Sequence, residues 1–229
     1  FKIETERAFS SVLLPAAEAG LSNADRGLCH EIVLGTLRHQ IYLDRVIDIL
    51  SDRKKLDPAI RIILRIGLYQ ITKLEKIPDH SAVNESVELT VTAKKRSAKG
   101  LVNAVLRRAI REMPVLQFSD DVERISVETS HPRWMVERWS STYGESEAEA
   151  LCHANNKRAP LTFRPTERSG FQDLVESGNF TPSRYAPNSW EARAMTGALL
   201  EAADSGIIYF QDEASQMAAN AIHVPDGGR

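Results

Sequence analysis

Apolar residues along the first 143 positions recur at three- and four-residue intervals with few strand-like alternations, so this part of the chain is predicted to be all-helical. The best-marked helix opens at Asp57-Pro58, a capping side chain followed by proline at the first helical position. Ile60, Ile63, Leu64, Gly67 and Ile71 follow along one face. Ile62, Ile66 and Leu68 occupy other sides, which predicts a central helix buried on most of its circumference. Around it the spacing predicts helices at 3–18, 23–39, 42–50, 81–93 and 99–113. A polar stretch at 114–121 leads to a helix at 122–128, and Ser130-His131-Pro132 starts another that Gly144 ends. That segment reads as a connection without a core.

The pattern changes after Gly144. A helix at 145–154, a strand at Leu161-Thr162-Phe163-Arg164, a helix from Ser169 to Ser177 and an extended piece at 180–185 make a small α+β unit. Ile207-Ile208-Tyr209-Phe210 reads as a strand, and Asp212 caps a helix running to Ile222, ahead of a turn at Pro225-Asp226-Gly227-Gly228. The expected organisation is multi-domain: an all-α domain over 1–115, a helical linker over 116–144, a small α+β module over 145–205, and the start of another domain over 206–229. No internal repeat or low-complexity tract stands out.

With 229 residues, 42% of them hydrophobic and 26% charged, the chain has the material for more than one globular core, and disorder is not expected. Its longest apolar runs, such as Ile62-Ile63-Leu64, fall far short of a membrane span, and no signal peptide opens it. A cytoplasmic, membrane-free monomer is the expectation. Cys29 and Cys152 stand far apart without a partner motif, which points to reduced thiols and to neither a disulfide nor a metal site. The net charge of −2 supplies no whole-chain attraction to nucleic acid, so RNA binding requires charge to be sorted locally.

Such sorting is visible. Between Lys94 and Arg111 there are seven basic residues, Lys94, Lys95, Arg96, Lys99, Arg107, Arg108 and Arg111, and no acidic one. Lys99, Asn103, Arg107 and Arg111 recur every fourth position and align in one row on a helix. Leu101, Val102, Val105, Leu106, Ala109 and Ile110 supply its buried side. A row of this kind can neutralise backbone phosphates, and Asn103 can donate to a base edge or sugar hydroxyl. The alternative is a solvated face whose long side chains cover apolar surface. His80, Ser81, Asn84 and Glu85 gather at a helix start, where Ser81 and Glu85 read as capping groups. Cys152 and His153 are helix neighbours that point in different directions, so Cys152 reads as structural. No glycine-rich phosphate loop, HExxH, G-x-S-x-G or Walker pattern occurs.

Several strings resemble the NusB-like helical domain: Glu31-Ile32-Val33-Leu34-Gly35-Thr36-Leu37-Arg38 after Asp25-Arg26, Leu56-Asp57-Pro58, and Ile63-Leu64-Arg65-Ile66-Gly67-Leu68-Tyr69-Gln70. Ala82-Val83-Asn84-Glu85-Ser86-Val87-Glu88-Leu89 and Gly100-Leu101-Val102-Asn103-Ala104-Val105-Leu106-Arg107-Arg108 continue the likeness. Ser130-His131-Pro132-Arg133-Trp134-Met135-Val136-Glu137-Arg138-Trp139 is similar to the linker that follows this domain in the RsmB/Sun family of ribosomal RNA cytosine-5 methyltransferases. Asn155-Asn156 with Pro160-Leu161-Thr162-Phe163-Arg164 resembles that family's small α+β module. Tyr209-Phe210-Gln211-Asp212-Glu213-Ala214-Ser215-Gln216 resembles its first catalytic-domain motif.

The resemblance implies a protein that binds small-subunit ribosomal RNA and, at full length, takes a methyl group from S-adenosylmethionine. One cysteine thiolate would add to the cytosine ring to activate C5, and a second would help release the product. Those cysteines lie in Pro-Cys and Thr-Cys contexts of a Rossmann-like domain, whereas Cys29 follows Leu28 and Cys152 follows Leu151. No catalytic residue is therefore carried over, and the chain is expected to stop before the donor-binding loop and to be inactive alone. An adaptor in transcription antitermination or ribosome assembly, and a protein-interaction domain whose ridge docks an acidic surface, stay open beside this reading.

Overall fold

A computed structural model of the chain describes residues 1–52, 55–166 and 170–222. The expected cap at Ser169 and the turn at 225–228 lie outside the described residues. The chain divides into two compact units, residues 1–157 and residues from 158 onward.

The first unit is helical: α1 (Lys2–Thr5), α2 (Ser10–Ala17), α3 (Asn23–Arg38), α4 (Gln40–Ser51), α5 (Pro58–Lys73), α6 (Asp79–Thr92), α7 (Lys99–Arg111), α8 (Asp121–Glu128), α9 (Arg133–Tyr143) and α10 (Glu145–Asn155). Helix α5 is the centre, as its sequence predicts. Asp57 caps it by accepting from the Ala59 N–H, and Pro58 occupies its first turn. Helices α3, α4, α6 and α7 pack around it. Its Ile60, Ile63, Leu64 and Leu68 join Leu43, Ile47, Val83, Val102 and Leu106 in one core. Gly67 faces the crossing with α6 and α7, where an added Cβ would lie 2.6 Å from Ser86 Oγ and 2.7 Å from Leu106 Cδ1.

Arg65 is a charge inside this core, only 5% exposed. Its Nε and Nη2 donate to the two Asp44 oxygens at 2.8 and 2.7 Å, and its Nη1 donates to Glu4 at 2.5 Å. A buried guanidinium is tolerated when its donors are matched in this way. The same bonds tie α1 and α4 to α5.

Four expectations are corrected. The helix expected over 3–18 is broken into α1 and α2, with Arg7 between them at φ 54°. The segment 116–144 is not a bare connection. Ile125 and Val136 from α8 and α9 join Cys152 of α10 in a small core, with all three completely buried. Helix α10, expected to open the α+β module, thus packs with α9 instead. Helix α6 starts at Asp79, with Pro78 as its N-cap and no side-chain cap, so Ser81 and Glu85 do not cap it. Cys152 is structural, as expected.

The second unit is a four-stranded antiparallel sheet with helices. Its elements are β1 (Leu161–Pro165), α11 (Phe171–Ser177), β2 (Phe180–Pro182), β3 (Trp190–Ala192), α12 (Gly197–Asp204), β4 (Ile208–Phe210) and α13 (Glu213–Asn220). The strand order is β2-β3-β1-β4. Phe163 and Ile208 turn inward with Leu174 of α11 and with Leu199 and Ala202 of α12. Alternation then puts Arg164 and Tyr209, register partners across β1 and β4, on the opposite face. The fourth correction lies here: the strand near 207–210 was expected to open a Rossmann-like domain, but β4 pairs antiparallel with β1 inside the small sheet. Strand β3 and helix α12 were not foreseen. Three residues are too few to show alternation, and α12 is a two-turn helix in a stretch rich in alanine.

Two predictions follow from the first unit. Gly67→Ala gains helix propensity but pushes a methyl group into Ser86 and the fully buried Leu106, so urea unfolding should show a net loss of about 1–3 kcal/mol. The second concerns His39, which stacks on Tyr69 with centroids 5.9 Å apart. Burial, followed by the Lys73 and Arg38 charges, pulls its pKa from 6.5 to about 4, while Glu31 pulls the other way. The folded state therefore refuses a proton that the unfolded chain accepts, and stability falls as pH drops from about 6.5 towards 4. The urea midpoint should fall less between pH 7 and pH 5 in His39→Gln than in the parent; equal slopes would refute this.

Candidate nucleic-acid interface

Helix α7 has two unlike sides. Val102, Val105, Leu106 and Ala109 are buried against α5 and its neighbours. The four-residue row Lys99, Asn103, Arg107 and Arg111 lies away from them, with Arg107 and Arg111 exposed. Within the row the Arg107 Nε donates to Asn103 Oδ1 at 2.9 Å, which leaves the Asn103 amide nitrogen free to donate outward.

The corner before α7 carries the rest of the basic set. Helix α6 ends with the Lys94 N–H donating to Val91 O at 2.9 Å and the Lys95 N–H to Thr90 O at 2.7 Å, while Lys94 sits at φ 57°. This is the Schellman arrangement, which usually places glycine in the left-handed position. A lysine there carries a modest conformational cost, and such strain is often found at binding surfaces. The short turn Arg96–Ala98 then leads into α7.

The tertiary structure modifies the charge pattern read from the sequence. Acids from other elements reach three of the seven cations: Lys95 pairs with Asp57 at 2.5 Å, Lys99 with Glu88 at 2.9 Å and Arg108 with Asp52 at 3.4 Å. Arg108 also donates to Leu50 O at 3.0 Å, so it closes the end of α4 and acts mainly in the fold. The hydrogen bond from Lys95, reinforced by the Ala59 N–H, holds the Asp57 carboxyl below the usual carboxylate range. Among the described residues Lys94, Arg96, Arg107 and Arg111 have no acidic partner. Exposed pairs such as Lys99–Glu88 contribute little to stability and can open to a competing phosphate.

One cation was missed in the sequence reading. Lys55 lines a cleft with Ser97, Ala98 and Leu101 at the start of α7, and so extends the basic corner. Its signal was the run Arg53-Lys54-Lys55, of which Arg53 and Lys54 lie outside the described residues. His80, Asn84 and Glu85 are exposed on α6 without forming a site. No group of three or more His, Cys, Asp or Glu side chains suited to a metal ion occurs among the described residues. No helix there is long and apolar enough to cross a membrane.

The residues of the Tyr209–Gln216 string act inside their own unit. Gln211 accepts from Arg164 Nε at 2.8 Å, and Asp212 caps α13 by accepting from the Ser215 N–H at 2.9 Å. Glu213 accepts from the Tyr185 and Ala186 N–H groups at 2.7 and 3.1 Å. Gln216 is buried and donates to Ser189 Oγ and Gln211 O, both at 2.9 Å.

Residues 1–111 match the NusB family, and residues 131–170 match the RsmF/B-like methyltransferase ferredoxin-like domain. The chain is 34% identical to the probable ribosomal RNA small subunit methyltransferase B of Bacillus subtilis, across 96% of this chain and 52% of that protein. It is 32% identical to ribosomal RNA small subunit methyltransferase B of Pseudomonas putida, across all of this chain and 56% of that protein. A Synechocystis relative described as probable ribosomal RNA small subunit methyltransferase B is 34% identical over 89% of this chain and 48% of its own length. Among solved structures, the crystal structure of PH0851 matches with a TM-score of 0.65 and 17% identity, over 88% of this chain and 47% of that one, a likeness of fold. The chain thus spans about half the length of the curated relatives it matches. The chain carries a NusB-family domain followed by an RsmF/B-type ferredoxin-like segment, and over nearly its whole length it is similar to proteins described as ribosomal RNA small subunit methyltransferase B.

Proposed function

We propose that this chain is the RNA-binding part of a cytoplasmic, monomeric methyltransferase that acts at C5 of a cytosine in small-subunit ribosomal RNA, with S-adenosylmethionine as donor. The observation that carries the RNA reading is the row Lys99, Asn103, Arg107 and Arg111, backed by the core on α7 and continued by Lys94, Lys95, Arg96 and Lys55 around the corner. Phosphate contacts from such a row fix the register and direction of the RNA, and sequence must be read elsewhere. Arg108 contributes charge to this surface while its hydrogen bonds serve the fold.

The described residues do not fit a donor site. Gln211, Asp212 and Ser215, which match the family's catalytic-domain motif, are turned to Arg164, to the first turn of α13 and to one another. No step of methyl transfer is therefore assigned to this chain.

Two experiments test the reading. Binding to small-subunit ribosomal RNA fragments should weaken steeply with salt. Changing Lys99, Arg107 and Arg111 together to alanine should lower affinity and make the logarithmic salt slope shallower by about two to three units. The same triple change should leave thermal unfolding nearly unaltered, since exposed charges contribute little to stability. An unchanged slope would return the row to the role of a solvated face. In the second experiment, a protein that also carries the further length present in the relatives should transfer labelled methyl groups from S-adenosylmethionine to small-subunit ribosomal RNA, and residues 1–229 alone should not. A folded long form that binds this RNA and never methylates it would favour an adaptor.

A further inference from the structure

The outer face of the small sheet holds an arrangement that the ridge on α7 does not use. Tyr209 projects from β4 and is 59% exposed. The Arg164 guanidinium lies over its ring, 5.4 Å from the centroid, and is held there by Gln211 Oε1 at 2.8 Å. A second pair repeats the motif: Tyr185 is 60% exposed, with the Arg184 guanidinium 5.1 Å from its ring centroid. The two pairs are mechanically linked. The segment that fixes Arg164 through Gln211 also fixes the backbone of Tyr185 through Glu213.

A cross-strand Arg–Tyr pair can simply stabilise a sheet, but that role does not need two open rings. Among the described residues neither tyrosine hydroxyl has a hydrogen-bond partner, so nothing there turns these rings towards the fold. Charge is sorted too. Asp173, Glu176, Glu201 and Asp204 lie on α11 and α12, which pack on the opposite face of the sheet. Asp212 and Glu213 are occupied by backbone N–H groups. Glu191, half-buried beside Thr162, is an acid on the tyrosine side.

We propose that this unit binds unpaired bases of single-stranded RNA, with Tyr209 on the outer sheet face and Tyr185 on the loop between β2 and β3 as stacking platforms, and Arg164 and Arg184 as their cationic partners. Every base has a π-face, so the contact tolerates sequence and requires an unstacked strand. The proposal rests on the RNA reading above and adds a second mode to it: the α7 row holds phosphates, whereas the small sheet unit holds bases.

The test uses the whole chain and a single-stranded RNA hexamer carrying 2-aminopurine, whose fluorescence falls when it stacks. Binding should quench the probe. Changing Tyr209→Thr together with Tyr185→Ala should abolish the quench and lower affinity about tenfold or more, with the salt slope unchanged. The double phenylalanine variant should retain both quench and affinity, which separates loss of the rings from loss of the fold. The triple alanine variant on α7 should instead lower the salt slope while keeping the quench. Binding without quenching, or a quench that survives the Thr/Ala change, would overturn the stacking site and leave the RNA reading standing. An unaltered salt slope in the α7 variant, with the quench still dependent on the tyrosines, would overturn the ridge and leave the stacking site. No binding of the parent at low salt would overturn both.

Discussion

The helical unit depends on burying α5 from nearly every side. A helix so enclosed needs close approach by its neighbours, and Gly67 permits it where Ser86 and Leu106 press against the backbone. Gly35 does the same on α3, where the Tyr69 ring occupies the space of a Cβ. Enclosure also has a polar consequence. Arg65 lies on this buried helix, and an unpaired guanidinium there would be severely destabilising. Asp44 and Glu4 satisfy it and thereby draw in α4 and α1, so that a polar requirement fixes α1, which buries no residue of its own, beside the apolar packing of α4.

The basic surface follows from the same packing. Helix α7 must present its apolar side to α5, and four-residue periodicity then leaves Lys99, Asn103, Arg107 and Arg111 outward. The Schellman turn at Lys94 brings the remaining cations round the corner, and Lys55 arrives from the loop between α4 and α5. Surface pairing with Asp57, Glu88 and Asp52 moderates the charge without removing it, because exposed pairs of this kind are held only weakly.

The small sheet works differently. Its order is set by short strands whose inward residues, Phe163, Phe210 and Ile208, share a core with α11 and α12. The string at 209–216 serves as a clasp in this unit, with each polar side chain from Gln211 to Gln216 bound to a neighbour except where alanine intervenes. That clasp holds Arg164 in place and leaves Tyr209 outside.

What the sequence determined by itself was local. Periodicity and capping residues placed α3 to α9 to within a few residues, because Asp57-Pro58, Gly144 and the three- and four-residue spacing act on neighbouring backbone. The row on α7 was legible for the same reason, since residues four apart on one helix must align. Only the tertiary structure decided which charges in that row are matched, because Asp57, Glu88 and Asp52 reach it from other elements. It alone gave 116–144 a core with Cys152 and placed β4 beside β1, since strands of three residues carry too little pattern to declare a partner. Pairing across distance is a property of the fold, and in this protein it decides which arginines and tyrosines remain exposed without an acidic or hydrogen-bonding partner.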